Sequence, residues 1–209
     1  FILARLGSIV NQDEYFEELI RLMLEGRATT NNEIQRLKID LCKKYKMDRL
    51  PSNAEVLAHV PDEDIDIIEP LLRTKPVRTI SGVAVVAVMT PPHDCPHGKC
   101  SYCPGGVEKG TAQSYTGREP AALRAAQHNF DPYDQVSSRI RQLQAIGHPT
   151  GKIDLIIMGG TFTARESEFQ RLFVRRCFDA MNGSDSANLT EAQERNETAE
   201  NRCIGLTVE

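Results

Sequence analysis

The chain has 209 residues, of which 40% are hydrophobic and 26% are charged, and its formal net charge is −4. These values are typical of an ordinary globular protein with room for one large domain or two small ones. The negative net charge argues against a general nucleic-acid binder, and no run reaches the roughly 18 apolar residues that a membrane helix needs.

The first 73 residues carry helical periodicity and no strand pattern. Apolar residues spaced three and four apart, with prolines at two helix starts, predict four helices: 12–27, about 31–47, 51–59 and 61–72. Asn31 is the predicted N-cap of the second helix, with Glu33 in its first turn. We therefore predict a small all-helical domain in this part of the chain.

Charge is distributed unevenly along the sequence. The N-terminal third contains a basic run made of Lys43, Lys44, Lys46 and Arg49, whereas residues 183–202 are mostly acidic. A local basic patch is therefore compatible with a chain that is acidic overall.

After a short linker at 74–79, apolar runs alternate with helical patterns. The apolar runs predict strands buried on both faces: 80–89, 153–158 and 203–208. The helical patterns begin at Glu119 and Pro120, at about 132, at about 165 and at about 188. Such alternation predicts a parallel sheet with right-handed crossovers. Because three strands do not close a barrel, we expect the sheet to be partial or to continue past Glu209.

Three of the six cysteines lie within nine residues, directly after the first predicted strand. The segment 91–106 reads PPHDCPHGKCSYCPGG, so Cys95, Cys100 and Cys103 have the spacing C-x4-C-x2-C. The other three, which we expect to be small buried residues, are Cys42, Cys177 and Cys203. Since no secretion signal precedes them, this distribution indicates a reducing, cytoplasmic compartment and a metal or cluster site rather than a disulfide framework.

The number of clustered cysteines suggests what they bind. A structural zinc ion and a ferredoxin-type cluster both take four protein ligands, whereas three thiolates leave one iron of a four-iron cluster open. In radical enzymes the open iron binds the amino and carboxylate groups of S-adenosylmethionine (SAM). The alternative is zinc, with His97 or His93 as the fourth ligand. The position of the loop at the carboxyl end of a parallel strand, where such folds place active sites, favours the cluster.

Two further candidates follow the later strands. Gly159 and Gly160 come after the strand 153–158, where adjacent glycines let the backbone approach a ligand such as the amino group of a bound methionine. A plain turn is the alternative. Glu209 ends the third run, where we expect its carboxylate to face the same mouth and bind a ribose hydroxyl or a cationic group; a solvated strand-end residue is the alternative.

Several uncommon strings occur in order over about 80–209: VAVVAVMTPPHDCPHGKCSYCPGG, AQSYTGREP, FDPYDQ, MGGTF and CIGLTVE. In these strings the chain closely resembles the catalytic subunit of Elongator in its archaeal or bacterial stand-alone form. The helical region is similar as well, notably in RLPSNAEVLAHVP. Eukaryotic members have a longer gap between the first two cysteines, so the gap here favours the archaeal or bacterial type.

The resemblance implies a partial radical SAM (β/α) barrel in an enzyme that uses acetyl-CoA and SAM to form 5-carboxymethyluridine at the wobble position of tRNA. It implies a [4Fe–4S] cluster on Cys95, Cys100 and Cys103, with Gly159, Gly160 and Glu209 as candidate SAM contacts. It also implies a tRNA-binding helical region, whose candidate contacts are Lys43, Lys44, Lys46 and Arg49. The expected partners are tRNA and either a second copy of the chain or an Elongator-type assembly. We expect no association with a membrane.

We therefore predict an α/β chain with a helical tRNA-binding region over 1–78 and the first part of a radical SAM core over 79–209. The family's acetyltransferase domain is not in these residues, so we expect the chain to be inactive alone in the full reaction. One alternative is a non-catalytic, zinc-stabilised tRNA-binding module. Another is a protein-modifying acetyltransferase subunit, but no feature of the 209 residues supports it.

Overall fold

The computed structural model describes residues 2–73 and 76–209, with side chains over 12–73 and 77–209. This part of the chain forms two compact units. The helical unit consists of residues up to 77 together with 144–148, and the α/β unit consists of 78–143 and 149–209. No helix in the described residues is both long and apolar enough to cross a bilayer.

The helical unit is held by apolar side chains from all of its helices. These helices are α1 (Ile2–Leu24), α2 (Asn31–Lys44), α3 (Asn53–Leu57) and α4 (Ile65–Leu72). Tyr15, Leu19, Ile34, Val56 and Leu72 are almost completely buried against one another in its core. The spacing of three and four residues that predicted these helices therefore reflects one shared apolar centre.

Helix boundaries in this unit differ from the prediction where capping decides them. The N-cap of α2 is Thr30 rather than Asn31, because the Thr30 hydroxyl accepts the Glu33 N–H (3.3 Å) and the Glu33 carboxylate accepts the Thr30 N–H (3.0 Å). This reciprocal arrangement is a capping box. Ser52 starts α3 in the same way. The helix α4 begins only at Ile65, since a turn at 61–64 comes first.

The α/β unit is a parallel three-stranded sheet in the order β1-β2-β3. Its strands are β1 (Ala84–Met89), β2 (Lys152–Met158) and β3 (Arg202–Val208). Its helices are α5 (Pro120–Gln127) and α6 (Pro132–Gln144) between the first two strands, and α7 (Ser167–Asn182) and α8 (Leu189–Asn196) between the last two. The predicted α/β class, with a partial parallel sheet preceded by helices, is confirmed.

One face of this sheet is buried, and the other is covered only at its carboxyl end. Inward-facing side chains such as Val86 and Leu155 pack against apolar residues of α6 and α7. On the other face, Met89 packs against α5, whereas Val85 of β1 is 47% exposed; Ile204 of β3 is 49% exposed. The prediction that the strands are buried on both faces is therefore wrong for the described residues, because α5 covers only one end of the second face.

Two smaller expectations are also corrected. The strand β1 begins at Ala84 instead of Ile80, because the Gly82 N–H donates to the Thr79 carbonyl (2.8 Å) and closes a turn there. Of the scattered cysteines, only Cys177 is fully buried, and this burial raises the pKa of its thiol; Cys42 and Cys203 are half-buried.

Candidate functional site

The carboxyl ends of all three strands meet at one edge of the sheet. Met89 is paired with Met158, and Ile157 is paired with Val208. Just beyond these pairs, the Thr90 N–H donates to the Met158 carbonyl (2.9 Å) and the Glu209 N–H donates to the Ile157 carbonyl (3.0 Å). The segments that follow the strands therefore start side by side.

A cavity of about 340 Å³ opens at this edge. Its lining includes Cys95, Cys100 and Cys103 from the loop after β1, Gly160 from the loop after β2, and Glu209 from the end of β3. It is also lined by His97, Tyr102, Gln113, Ser114, Tyr115 and Thr161. Five of the six site residues predicted in this unit thus share one cavity, and Gly159 lies next to it in the chain.

Each of the three thiols faces a different neighbour. The Cys95 Sγ lies 3.7 Å from the Thr161 Oγ1, the Cys100 Sγ lies 3.4 Å from the His97 Nε2, and the Cys103 Sγ lies 3.2 Å from the Gln113 Oε1. Over the described side chains, no three His, Cys, Asp or Glu residues are close enough together to hold one metal ion. All three cysteines are nonetheless partly exposed toward the same space.

The two glycines after β2 are required by packing against the protein itself. Gly159 has a φ of +126°, and a Cβ there would lie 2.4 Å from the Thr90 Oγ1. Gly160 has a φ of +88°, and a Cβ there would lie 3.2 Å from the Gln113 Cβ. Both are backbone conformations that other residues adopt only at a cost. The close approach of the loops after β1 and β2 therefore explains this pair of glycines.

The segment 111–119 folds back toward the cysteine loop and is tied by its own polar groups. The Thr111 hydroxyl accepts the Gly106 N–H (2.8 Å). The Glu119 carboxylate accepts the Thr116 N–H (2.8 Å) and the Gly117 N–H (3.0 Å). These backbone donors, together with the Thr116 hydroxyl, lower the pKa of Glu119 to about 2. The string SYTGREP thus encodes a self-contained turn that presents Tyr115 to the cavity.

Tyr115 joins this turn to the end of β3. Its hydroxyl donates to the Glu209 Oε2 at 2.9 Å. Burial, and after it the hydrogen bond to Glu209, raise the pKa of Tyr115 to about 12, so the phenol remains a proton donor across the physiological range. The Glu209 carboxylate is consequently held at the cavity wall.

Gln135 of α6 fixes the strand that leads into the cysteine loop. It is 3% exposed, and its side chain both accepts the Met89 N–H (2.9 Å) and donates to the Met89 carbonyl (3.0 Å). The outer edge of β1 is thereby satisfied at its last residue. Sequence reasoning missed this role; the available signal was a glutamine inside the apolar face of a predicted helix.

The basic candidates of the helical unit divide into two pairs. Lys44 forms an ion pair with Glu18 at 2.5 Å, and Arg49 forms an ion pair with Glu55. Lys43 and Lys46 are exposed, and no carboxylate among the described side chains pairs with either of them. Any contact with a polyanion would therefore fall more readily to Lys43 and Lys46.

Comparison with known proteins identifies the chain's relatives. Residues 12–80 match the family model described as the ELP3 N-terminal domain. The chain is 53% identical over 189 residues to the tRNA uridine(34) acetyltransferase of Methanocaldococcus jannaschii, and 38% identical over 201 residues to human Elongator complex protein 3. These alignments cover 88% and 92% of the chain. Over most of its length, the chain matches part of the Elongator complex protein 3 family.

The matches cover only part of the relatives. The chain spans 35% of the M. jannaschii protein and 37% of the human protein. A solved structure, the archaeal Methanocaldococcus infernus Elp3 with an N-terminal deletion, is 46% identical with a TM-score of 0.44, and the match covers 61% of this chain and 22% of that one. The higher identity to the M. jannaschii protein than to the human protein agrees with the archaeal or bacterial type predicted from the cysteine spacing.

Proposed function

We propose that the α/β unit is the cluster- and SAM-binding part of a radical SAM enzyme that modifies the wobble uridine of tRNA. The observation that carries the proposal is the convergence of Cys95, Cys100 and Cys103 with Glu209 on one cavity at the carboxyl ends of parallel strands. Active sites of parallel α/β folds lie at this edge.

The donor set fits a four-iron cluster better than a single zinc ion. A tetrahedral zinc ion draws four ligand atoms to within about 2.3 Å of one centre. The thiols here face separate neighbours, and the described residues offer no three donors that close together. In a four-iron cluster each cysteine binds a different iron, so the thiolates stand further apart. Three of them leave the fourth iron to a substrate.

When bound, the cluster would supply the electron that cleaves SAM to a carbon radical. The chain's own residues would bind and orient SAM. The Glu209 carboxylate, held by the Tyr115 hydroxyl, is placed to accept a ribose hydroxyl or an ammonium proton. The backbone groups of Gly160 and Thr161 lie on the cavity wall beside the cysteine loop, where they can contact the methionine end of SAM.

The helical unit is proposed to bind tRNA, mainly through Lys43 and Lys46. Acetyl-CoA, the implied acetyl donor, is assigned no site in these 209 residues. The complete reaction is therefore proposed for a longer protein that includes an acetyltransferase domain, and this chain alone is expected to be inactive in it. Assembly with a second copy or with Elongator-type partners, in the cytoplasm, is part of the same proposal.

The alternative with a specific observation behind it is a zinc-stabilised tRNA-binding module. His97 lies 3.4 Å from Cys100 and is the nearest candidate for a fourth ligand. Replacing His97 with Ala separates the two functions, because zinc in a Cys3His site would be lost whereas a cluster held by three cysteines would assemble.

The decisive experiment is anaerobic reconstitution of the chain with iron and sulfide. We expect about four irons per chain in the parent and in His97→Ala, and loss of the cluster in each of Cys95→Ser, Cys100→Ser and Cys103→Ser. Cys42→Ser, which changes a cysteine of the helical unit, is the matched control and should keep the cluster. Stoichiometric zinc without iron, lost in His97→Ala, would overturn the proposal in favour of the zinc module.

A further inference from the structure

The three cysteine sulfurs of the cavity have unequal surroundings. The Cys103 sulfur accepts the backbone N–H of Ser114 at 3.2 Å. Among the hydrogen bonds of the described residues, the sulfur of neither of the other two loop cysteines accepts a backbone N–H. The Gln113 side-chain amide lies at the same distance, 3.2 Å, from that sulfur. The Cys95 sulfur lies near the Thr161 hydroxyl, and the Cys100 sulfur lies near the His97 ring.

Gln113 is held in place by the surrounding protein. It is 5% exposed, and the preceding Ala112 is 1% exposed within a buried cluster that includes Met89. A Cβ at Gly160 would lie 3.2 Å from the Gln113 Cβ, and a Cβ at Gly106 would lie 2.7 Å from the Gln113 Oε1. Two glycines from separate loops thus make room for this one side chain beside Cys103.

Ser114 also contributes through its backbone. Its φ is +70°, in the left-handed region that serine rarely adopts. Its N–H points at the Cys103 Sγ in this conformation. A rare backbone conformation at a functional site persists only where the surrounding structure holds it in place.

The chemistry of the amide follows from the state of the sulfur. In the free chain the Cys103 thiol donates to the Gln113 Oε1. A cysteine bound to iron is a thiolate without a proton, so it can only accept hydrogen bonds. A half-turn of the amide exchanges Oε1 for Nε2, a group of similar size, and gives the sulfur a second N–H donor.

We infer that Gln113 is a positioning residue that, together with the Ser114 N–H, sets the reduction potential of the cluster through Cys103. This inference rests on the proposed function. Hydrogen bonds to cluster sulfurs stabilise the reduced form, which carries one more negative charge, and so raise the potential. The step concerned is the uptake of one electron by the cluster from a low-potential one-electron donor, and it breaks no covalent bond.

The test is a redox titration of the reconstituted chain with dithionite, followed by EPR. Gln113→Met keeps the length of the side chain and removes the N–H donor. Gln113→Leu removes the donor with an apolar side chain of similar volume. Both should retain four irons and shift the potential to more negative values. For each variant we expect about a tenfold weaker reduction equilibrium, which corresponds to about 59 mV for one electron.

The matched control is Gln127→Met, the same change at an exposed residue of α5, which should leave the potential unchanged. A parent chain that assembles a cluster, with both Gln113 variants at the parent's potential, would overturn this inference and leave the proposed function intact. A parent chain that assembles no four-iron cluster would overturn both. If Gln113→Met fails to assemble, the potential of Gln113→Leu decides the question.

Discussion

Replacing Gln135 with Met tests how the strand before the cysteine loop is held. Methionine fills a similar volume but neither accepts the Met89 N–H nor donates to the Met89 carbonyl, and Met89 is fully buried. Each buried polar group left without a partner costs about 1–3 kcal/mol. The greater hydrophobicity of methionine offsets about 1 kcal/mol of this. With two groups left without a partner, we expect Gln135→Met to lower the free energy of unfolding by about 1–5 kcal/mol.

Equilibrium unfolding in urea measures this loss. With a slope of about 2 kcal/mol per molar urea, the midpoint should fall by about 0.5–2.5 M. The control is Gln142→Met on the same helix, where the exposed side chain only accepts a hydrogen bond from Arg139, and its effect should stay within about 0.5 kcal/mol. Equal losses in the two variants would refute the idea that Gln135 is a specific anchor for the end of β1.

Three further predictions concern the cavity and the basic run. In an ultraviolet pH titration, the part of the tyrosine signal that Tyr115→Phe removes should ionise near pH 12. Glu209→Gln should lower the pKa of Tyr115 without reaching 10, since burial is the larger cause of the raised pKa. Because the folded protein keeps the Tyr115 proton to a higher pH than the unfolded chain, the stability that this proton contributes is complete below pH 10 and is lost toward pH 12. An unchanged pKa of Tyr115 in Glu209→Gln would argue against the hydrogen bond. Gly159→Ala should lower the free energy of unfolding in urea by about 2–5 kcal/mol. The control is Gly183→Ala, which should lower it by about 1 kcal/mol, because Gly183 also has a positive φ but its Cβ would meet open space. Similar losses in the two variants would contradict close packing of Gly159 on Thr90. Replacing Lys43 and Lys46 with Gln should weaken tRNA binding and reduce the slope of log K against log salt concentration by about 2. Replacing the ion-paired Lys44 and Arg49 should have a smaller effect. The reverse order in a filter-binding titration would place the contact elsewhere.

The parts of the site that the sequence could predict are those encoded locally. Three thiols spaced C-x4-C-x2-C after a β-branched run specify a loop at a strand end, because spacing and strand pattern are both read along the chain. The parallel arrangement followed from the alternation of strands and helices. Since parallel strands end at the same edge, the meeting of Cys95, Gly160 and Glu209 was a consequence of topology.

The contacts that tune the site could not be predicted, because they join residues far apart in the sequence. Nothing local pairs Gln135 with Met89, Tyr115 with Glu209 or Gln113 with Gly160; each pairing depends on how helices and loops pack. The glycines after β2 show the same limit. The sequence indicated close approach of a ligand or a plain turn at these glycines, and only the fold showed that the neighbour is the protein's own loop after β1.

Errors at element boundaries had the same kind of cause. Thr30 and Asn31 are both good N-caps by residue type, and the reciprocal hydrogen bonds with Glu33 decide between them. Apolar residues of β1 and β3 indicated burial on two faces, but burial depends on what packs against the sheet. In the described residues α6 and α7 cover one face, and α5 covers only the carboxyl end of the other.

The measurement that tests the central claim most directly is the EPR spectrum of the reduced, reconstituted chain with and without SAM. If three cysteines leave one iron free, SAM should bind that iron and change the spectrum, while the Cys103→Ser variant should show no cluster signal to change. A four-iron signal in the parent chain that is identical with and without saturating SAM would mean that the fourth iron is already occupied, and would contradict the account.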